Sequence, residues 1–225
     1  MVAAGDDNTS IAHAALTSLY QTYWYPLYAY VRRRGRPADE ASDIVQSFFV
    51  SLLERRDFTR LNRERGRFRA FLLGSLKHFL ANDFARRHTL KRGAGAHAVP
   101  LILDAAEDRY VREPRDPMTP ETLYERRWAL TVIDQILAAL RAEWRQQDRE
   151  HVFDALRECL LGTAPPGGYA ETAARLQMSE GAVKTAVHRL RRRFQLELHR
   201  LVSETVSDPN DADDEIRNLI RALNA

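Results

Sequence analysis

Apolar residues recur three and four positions apart along almost the whole chain, and no stretch alternates apolar and polar with period two for long enough to build a sheet. That spacing predicts an all-α fold. Leu16, Leu19, Tyr20, Tyr23, Leu27, Tyr30 and Val31 mark a first helix in which Pro26 predicts a kink or a restart. After the Gly35-Arg36-Pro37 breaker, Ile44, Val45, Phe48, Phe49, Leu52 and Leu53 line one face of a second helix. Phe68, Phe71, Leu72, Leu76, Phe79, Leu80 and Phe84 do the same for a third. These faces can close one helical domain over residues 12–92.

With 225 residues the chain can bury one sizeable core or two small ones, and its punctuation favours two. Gly93-Ala94-Gly95-Ala96 opens a stretch containing Pro100, Pro114, Pro117 and Pro120, expected to be a flexible linker over 93–120, with the apolar run Val99 to Leu103 as a local anchor. A second domain over 121–206 is expected to start where Thr119 can cap a helix and Pro120 can take its first position. Trp128, Leu130, Val132, Ile133, Ile136, Leu137 and Leu140 form its first helix and Val152 to Leu161 the next, ended by Gly162 to Gly168. An acidic amphipathic tail, 207–225, follows, with Ile216, Leu219, Ile220 and Leu223 on one face.

The net charge of +3 conceals an uneven distribution. Residues 1–92 carry 16 Lys+Arg against 9 Asp+Glu, whereas 121–206 carry 13 against 12 with their positive charge gathered at Lys184 to Arg193. A polyanionic partner fits both domains, with ordinary solvated basic faces as the alternative. The single cysteine, Cys159, excludes an internal disulfide and a cysteine zinc cluster, and the seven histidines lack ligand-like spacing. Neither a metal nor a cofactor is expected. Nothing approaches the roughly 20 apolar residues of a membrane span, and the expected location is cytoplasmic, with no membrane partner.

The sharpest motif runs from Tyr169 to Arg193 and reads as a helix-turn-helix with its turn at Gln177 to Ser179. Ala173 and Ala174 are small enough for two helices to cross closely. Ser179 is a good N-cap, and Val183, Val187, Leu190 and Phe194 fall on one buried stripe of the second helix. The opposite face presents Lys184, Thr185, His188, Arg191 and Arg192, suited to guanine edges and phosphates. Gly181, in the first turn, would let a phosphate approach the free amides.

The segment Glu180-Gly-Ala-Val-Lys-Thr-Ala-Val-His-Arg-Leu-Arg191 resembles the recognition helix of the second conserved domain of extracytoplasmic-function sigma factors, which binds the promoter's minus-35 element. Residues 19–92 resemble that family's first conserved domain. There Asp43-Ile-Val-Gln-Ser-Phe-Phe49 corresponds to the helix that docks on the clamp of core RNA polymerase. Phe68-Arg-Ala-Phe-Leu72 and Asn82-Asp-Phe-Ala-Arg-Arg87 correspond to the part that recognises and melts the minus-10 element. The resemblance thus implies a transcription initiation factor with promoter DNA and core polymerase as partners. It assigns polymerase binding to Glu40, Asp43, Gln46 and Ser47, and minus-10 contact to Arg63, Arg65, Arg67, Asn82, Asp83, Arg86 and Arg87. Melting needs cations for the backbone and apolar surfaces for an unstacked base, and Arg69 also lies near Phe68 and Phe71. Those two aromatics and Phe79 fit a core role better than stacking.

Where the family often carries a denser acidic patch, this chain has Glu40-Ala-Ser42-Asp43, and Ser47 stands in place of an acid. Phosphorylation of Ser42 or Ser47 by a protein kinase would restore charge, adding about −1.5 to −2 per site; the simpler expectation is docking through Glu40, Asp43 and apolar contacts. Control by an anti-sigma protein is equally compatible. Gln177 stands where the turn commonly has glycine, at a cost on the order of 1 kcal/mol if the position is left-handed, and Ala186 replaces a frequent arginine. The tail is expected to pack on its own domain, with restraint of a basic DNA-binding surface as the alternative. Two other function classes compare poorly with a sigma factor. A stand-alone helix-turn-helix regulator has no use for the first domain, and an enzyme would need paired carboxylates or a phosphate-cradling loop that this chain lacks.

Overall fold

The computed structural model describes residues 3–54, 67–89, 100–112, 118–161, 164, 165 and 167–224. They are helical throughout apart from turns and one isolated bridge, so the all-α fold is observed. The chain divides into two compact units, one of residues 1–131 with 205–225 and one of residues 132–204.

In the first unit, α1 (Ala3–Arg33) continues through Pro26 without a break. It ends at Gly35, whose positive φ of 85° makes the turn before α2 (Ala38–Glu54). Tyr28, Tyr30, Leu27, Ile44, Val45 and Phe48 are buried where α1 packs on α2. Leu53, expected on the apolar face, is exposed together with Val50. In α3 (Phe68–Thr89), Leu72, Leu73 and Leu76 complete this core, while Phe68, Phe71 and Phe79 are half-buried and held by rings: Phe79 against Phe48, Phe68 against Tyr23.

The unit boundaries differ from the expected domains at three places, each for a visible reason. The expected linker contains α4 (Pro100–Arg112), with Pro100 at its first position. This helix is fastened to α1: Arg32 makes hydrogen bonds of 2.6 and 2.9 Å to Glu107, the Tyr28 hydroxyl donates to the same carboxylate, and the Arg109 guanidinium stacks on the Tyr25 ring. Next, α5 (Pro120–Arg145) starts as expected, with the Thr119 hydroxyl accepting from the amide of Thr122, but its residues through Thr131 belong to the first unit. Tyr124 is buried there and donates to the Arg69 carbonyl at 3.0 Å. Finally, the tail joins the first unit rather than the domain that precedes it. Its helix, α9 (Ala212–Asn224), buries Ala212, Glu215 and Leu219.

The second unit holds the rest of α5, α6 (Glu150–Leu156) with a 3₁₀ turn over Arg157–Leu161, α7 (Gly168–Leu176) and α8 (Glu180–Ser203). Ile136, Leu140, Trp144, Val152, Phe153, Leu156, Cys159, Val183, Val187 and Leu190 form its core.

Candidate nucleic-acid interface

The turn between α7 and α8 spans Gln177 to Ser179, as the sequence predicts. Gln177 is left-handed, with φ 53° and ψ 42°, and the amide of Met178 closes back on the Ala173 carbonyl at 2.9 Å. The chain adopts the glycine-type turn without the glycine. Ser179 caps α8, its Oγ accepting from the amide of Ala182 at 3.2 Å. Ala173 is buried at the crossing, whereas Ala174 faces outward, so one small residue rather than two serves the approach. Ala186 is also buried, which leaves it no part in the outer face.

At 100° per residue, Val183, Ala186, Val187 and Leu190 centre the buried stripe of α8. The opposite direction carries Gly181, Lys184, Thr185, His188 and Arg192, all exposed. Arg189 lies on the flank of the same face and is exposed too; sequence reasoning missed it, although its spacing from Thr185 and Arg192 gives it away. Arg191 falls toward the edge of the buried stripe. It is half-buried and donates from Nε to the Cys159 carbonyl at 2.8 Å, which makes it a brace for the 3₁₀ turn. Burial pushes the Cys159 thiol above its ordinary pKa.

The exposed cations are not equally available. Lys184 is held by Glu180 at 3.4 Å and by the Tyr169 ring at 5.4 Å, and Arg193 is tied to Glu143 at 2.8 Å. Arg189 and Arg192 have no acidic partner among the described residues. The Thr185 hydroxyl donates to the Gly181 carbonyl at 2.8 Å and keeps its oxygen as an acceptor. A Cβ on Gly181 would meet nothing within 4 Å, so that position is open without requiring glycine.

In the first unit, Arg63 and Arg65 lie outside the described residues, as do the side chains of Asp83, Arg86 and Arg87, whose backbone is in α3. Asn82 is exposed. Arg67 is partly exposed, and its Nε reaches Glu215 at 2.9 Å. Arg69 is buried: it chelates Glu215, pairs with Glu125 and stacks on the Trp128 ring with its Cζ 4.7 Å from the centroid. It is therefore sealed from solvent, unlike the backbone-contacting role its neighbourhood suggests in sequence. One sequence signal points to this cluster: Glu215 sits within the apolar stripe of α9, between Ala212 and Leu219.

On α2, Asp43 and Gln46 are half-buried and Ser47 is exposed, while Glu40 is bridged to Arg36 at 3.0 Å. Ser42 is fully buried and accepts from Gln46 Nε2 at 3.3 Å, so Ser47 alone of the two serines presents its hydroxyl at the surface.

No family model, curated protein or solved structure matches the chain. Among the described residues, no helix is long and apolar enough to cross a membrane.

Proposed function

We propose that this chain is a promoter-recognition subunit of RNA polymerase of the extracytoplasmic-function sigma kind, with α8 reading minus-35 DNA. The observation that carries this reading is the polar, cationic face of α8 formed by Lys184, Thr185, His188, Arg189 and Arg192. It lies opposite the buried stripe, and the helix is set at its start by the left-handed Gln177 and the Ser179 cap. Such a face suits the major groove, arginines contributing bidentate contacts to guanine or phosphate and the threonine and histidine shorter-range contacts. In this reading Arg67, Asn82 and the basic residues flanking them bear on the minus-10 strand. The α2 surface of Glu40, Asp43, Gln46 and Ser47, extended by exposed Val50 and Leu53, docks on the polymerase clamp. Serines at positions 42 and 47 in place of acids put more of the docking energy on those apolar side chains, and Ser47 is the position where a kinase could add charge.

The test is to add purified protein to core RNA polymerase and ask whether the mixture initiates at specific promoters. Initiation there, abolished when Arg189 and Arg192 are both alanine, supports the reading. Duplex binding without core binding would make the protein a stand-alone regulator; neither activity would remove the reading altogether.

A further inference from the structure

Glu215, which pairs with both Arg67 and Arg69, comes from the C-terminal helix α9. Arg67 forms an antiparallel bridge with Val206, and the amide of Phe68 donates to the Thr205 carbonyl at 3.0 Å, so residues 205 and 206 strap across the start of α3. From there α9 places the wholly buried carboxylate of Glu215 between the two guanidinium groups. Around it lie Tyr23, whose ring meets Phe68 edge-on, and Trp128, whose ring faces the Arg69 guanidinium. Burial, with Glu215 adding to it, pushes the Tyr23 hydroxyl well above its ordinary pKa. The Tyr23 hydroxyl and the indole N–H of Trp128 lie close together, both buried, beside the ion pair.

Arg69 keeps Glu125 as a second partner. Two cations beside aromatic rings are what a nucleic-acid strand would also engage, with a phosphodiester in the place of Glu215 and a base on the rings. Besides Glu215, α9 buries only Ala212 and Leu219 fully, and Ile220 beside them is exposed. We propose that α9 is a built-in competitor that occupies a single-strand-binding pocket of the first unit, with Glu215 standing where a phosphate of the strand would bind. This rests on the reading of Arg67 and its surroundings as the promoter-melting region, and it assigns the tail a regulatory role there. Strand engagement requires α9 to leave, and any partner that captures α9 would activate the protein.

The test uses the full chain and a short fluorescein-labelled DNA single strand. Glu215→Gln keeps the shape and removes the charge, and should tighten strand binding about tenfold, the equivalent of one charge-assisted hydrogen bond released from competition. Adding Arg67→Ala to that variant should abolish the gain. In the wild-type protein, saturating strand should accelerate amide hydrogen exchange over residues 212–224. The inference is overturned if Glu215→Gln retains wild-type helicity and binds no more tightly, if Arg67→Ala leaves the gain intact, or if exchange in 212–224 is unchanged or slowed. Should Glu215→Gln not fold, the wild-type exchange experiment decides alone, and absence of strand binding by the wild-type protein then counts against the proposal. Polymerase-dependent initiation that persists while these outcomes fail would remove the tail's role and leave the sigma reading standing.

Discussion

Arg69 and Arg192 are the same residue type on amphipathic helices, yet one is spent within the fold and the other is offered to solvent. Arg69 points into the core side of α3, where Trp128, Glu125 and Glu215 enclose it. Arg192 points away from the buried stripe of α8 and finds no acidic partner among the described residues. A local excess of positive charge therefore says little about availability: the face that each helix buries decides it, and so does whether an acid from a remote segment reaches the pocket. The same contrast divides Arg191, bracing Cys159, from Arg189 two positions earlier.

The widest separation should appear in stability. Arg69→Ala leaves Glu215 buried and partly unpaired, and should cost about 3–5 kcal/mol in chemical denaturation. Arg67→Ala, at a partly exposed pair, should cost about 1 kcal/mol or less, and Arg192→Ala should stay within about 0.5 kcal/mol of wild type. Equal losses at the three sites would break the comparison. A smaller effect concerns how firmly the exposed face is held. Gln177→Gly relieves a left-handed non-glycine residue and should stabilise the protein by about 1 kcal/mol, read as a higher thermal midpoint with duplex binding intact; destabilisation would mean that the Gln177 side chain contributes more than its backbone costs.

The smallest effect is at α4. Burial pushes the Glu107 carboxyl up, but hydrogen bonds from Arg32 and Tyr28 outweigh it and hold its pKa below the ordinary carboxylate value. A depressed pKa contributes stability that is present above the unfolded-state value and is lost as the pH falls through the folded-state one. Amide protection factors over residues 105–111, which correct for the slower intrinsic exchange in acid, should therefore fall as the pH drops below the ordinary carboxylate range. A Glu107→Gln variant should show that loosening already at neutral pH and change little further on acidification. A pronounced further loss of protection in the variant on acidification would assign the effect to other carboxylates.

Much of this fold is readable from residue order. The helical period, the Thr119 and Ser179 caps and the turn at Gln177 all rest on local rules, in which each residue interacts with neighbours three or four positions away. What escapes such rules depends on distant partners. Proline content makes residues 93–120 look like a linker, because Glu107 gives no sign in sequence that Arg32 and Tyr28 will hold α4. The tail is expected on the domain before it, since the pairing of Glu215 with Arg67 and Arg69 crosses most of the chain. Arg191 is misplaced by sequence reasoning for a different reason: it lies at the boundary of the buried stripe, where a small angular difference turns a side chain from solvent to a backbone carbonyl.

In the proposed function the exposed Arg189 and Arg192 of α8, and not Arg67 or Arg69 of the first unit, hold duplex promoter DNA. The most direct measurement is the salt dependence of duplex affinity for wild type, for Arg189→Ala with Arg192→Ala, and for Arg67→Ala. Removing one phosphate-binding cation should reduce the slope of log affinity against log salt by about one. A reduction of about two is expected for the α8 pair, one phosphate for each arginine, and an unchanged slope for Arg67→Ala. An unchanged slope for the α8 pair, or a reduction confined to Arg67→Ala, would contradict it.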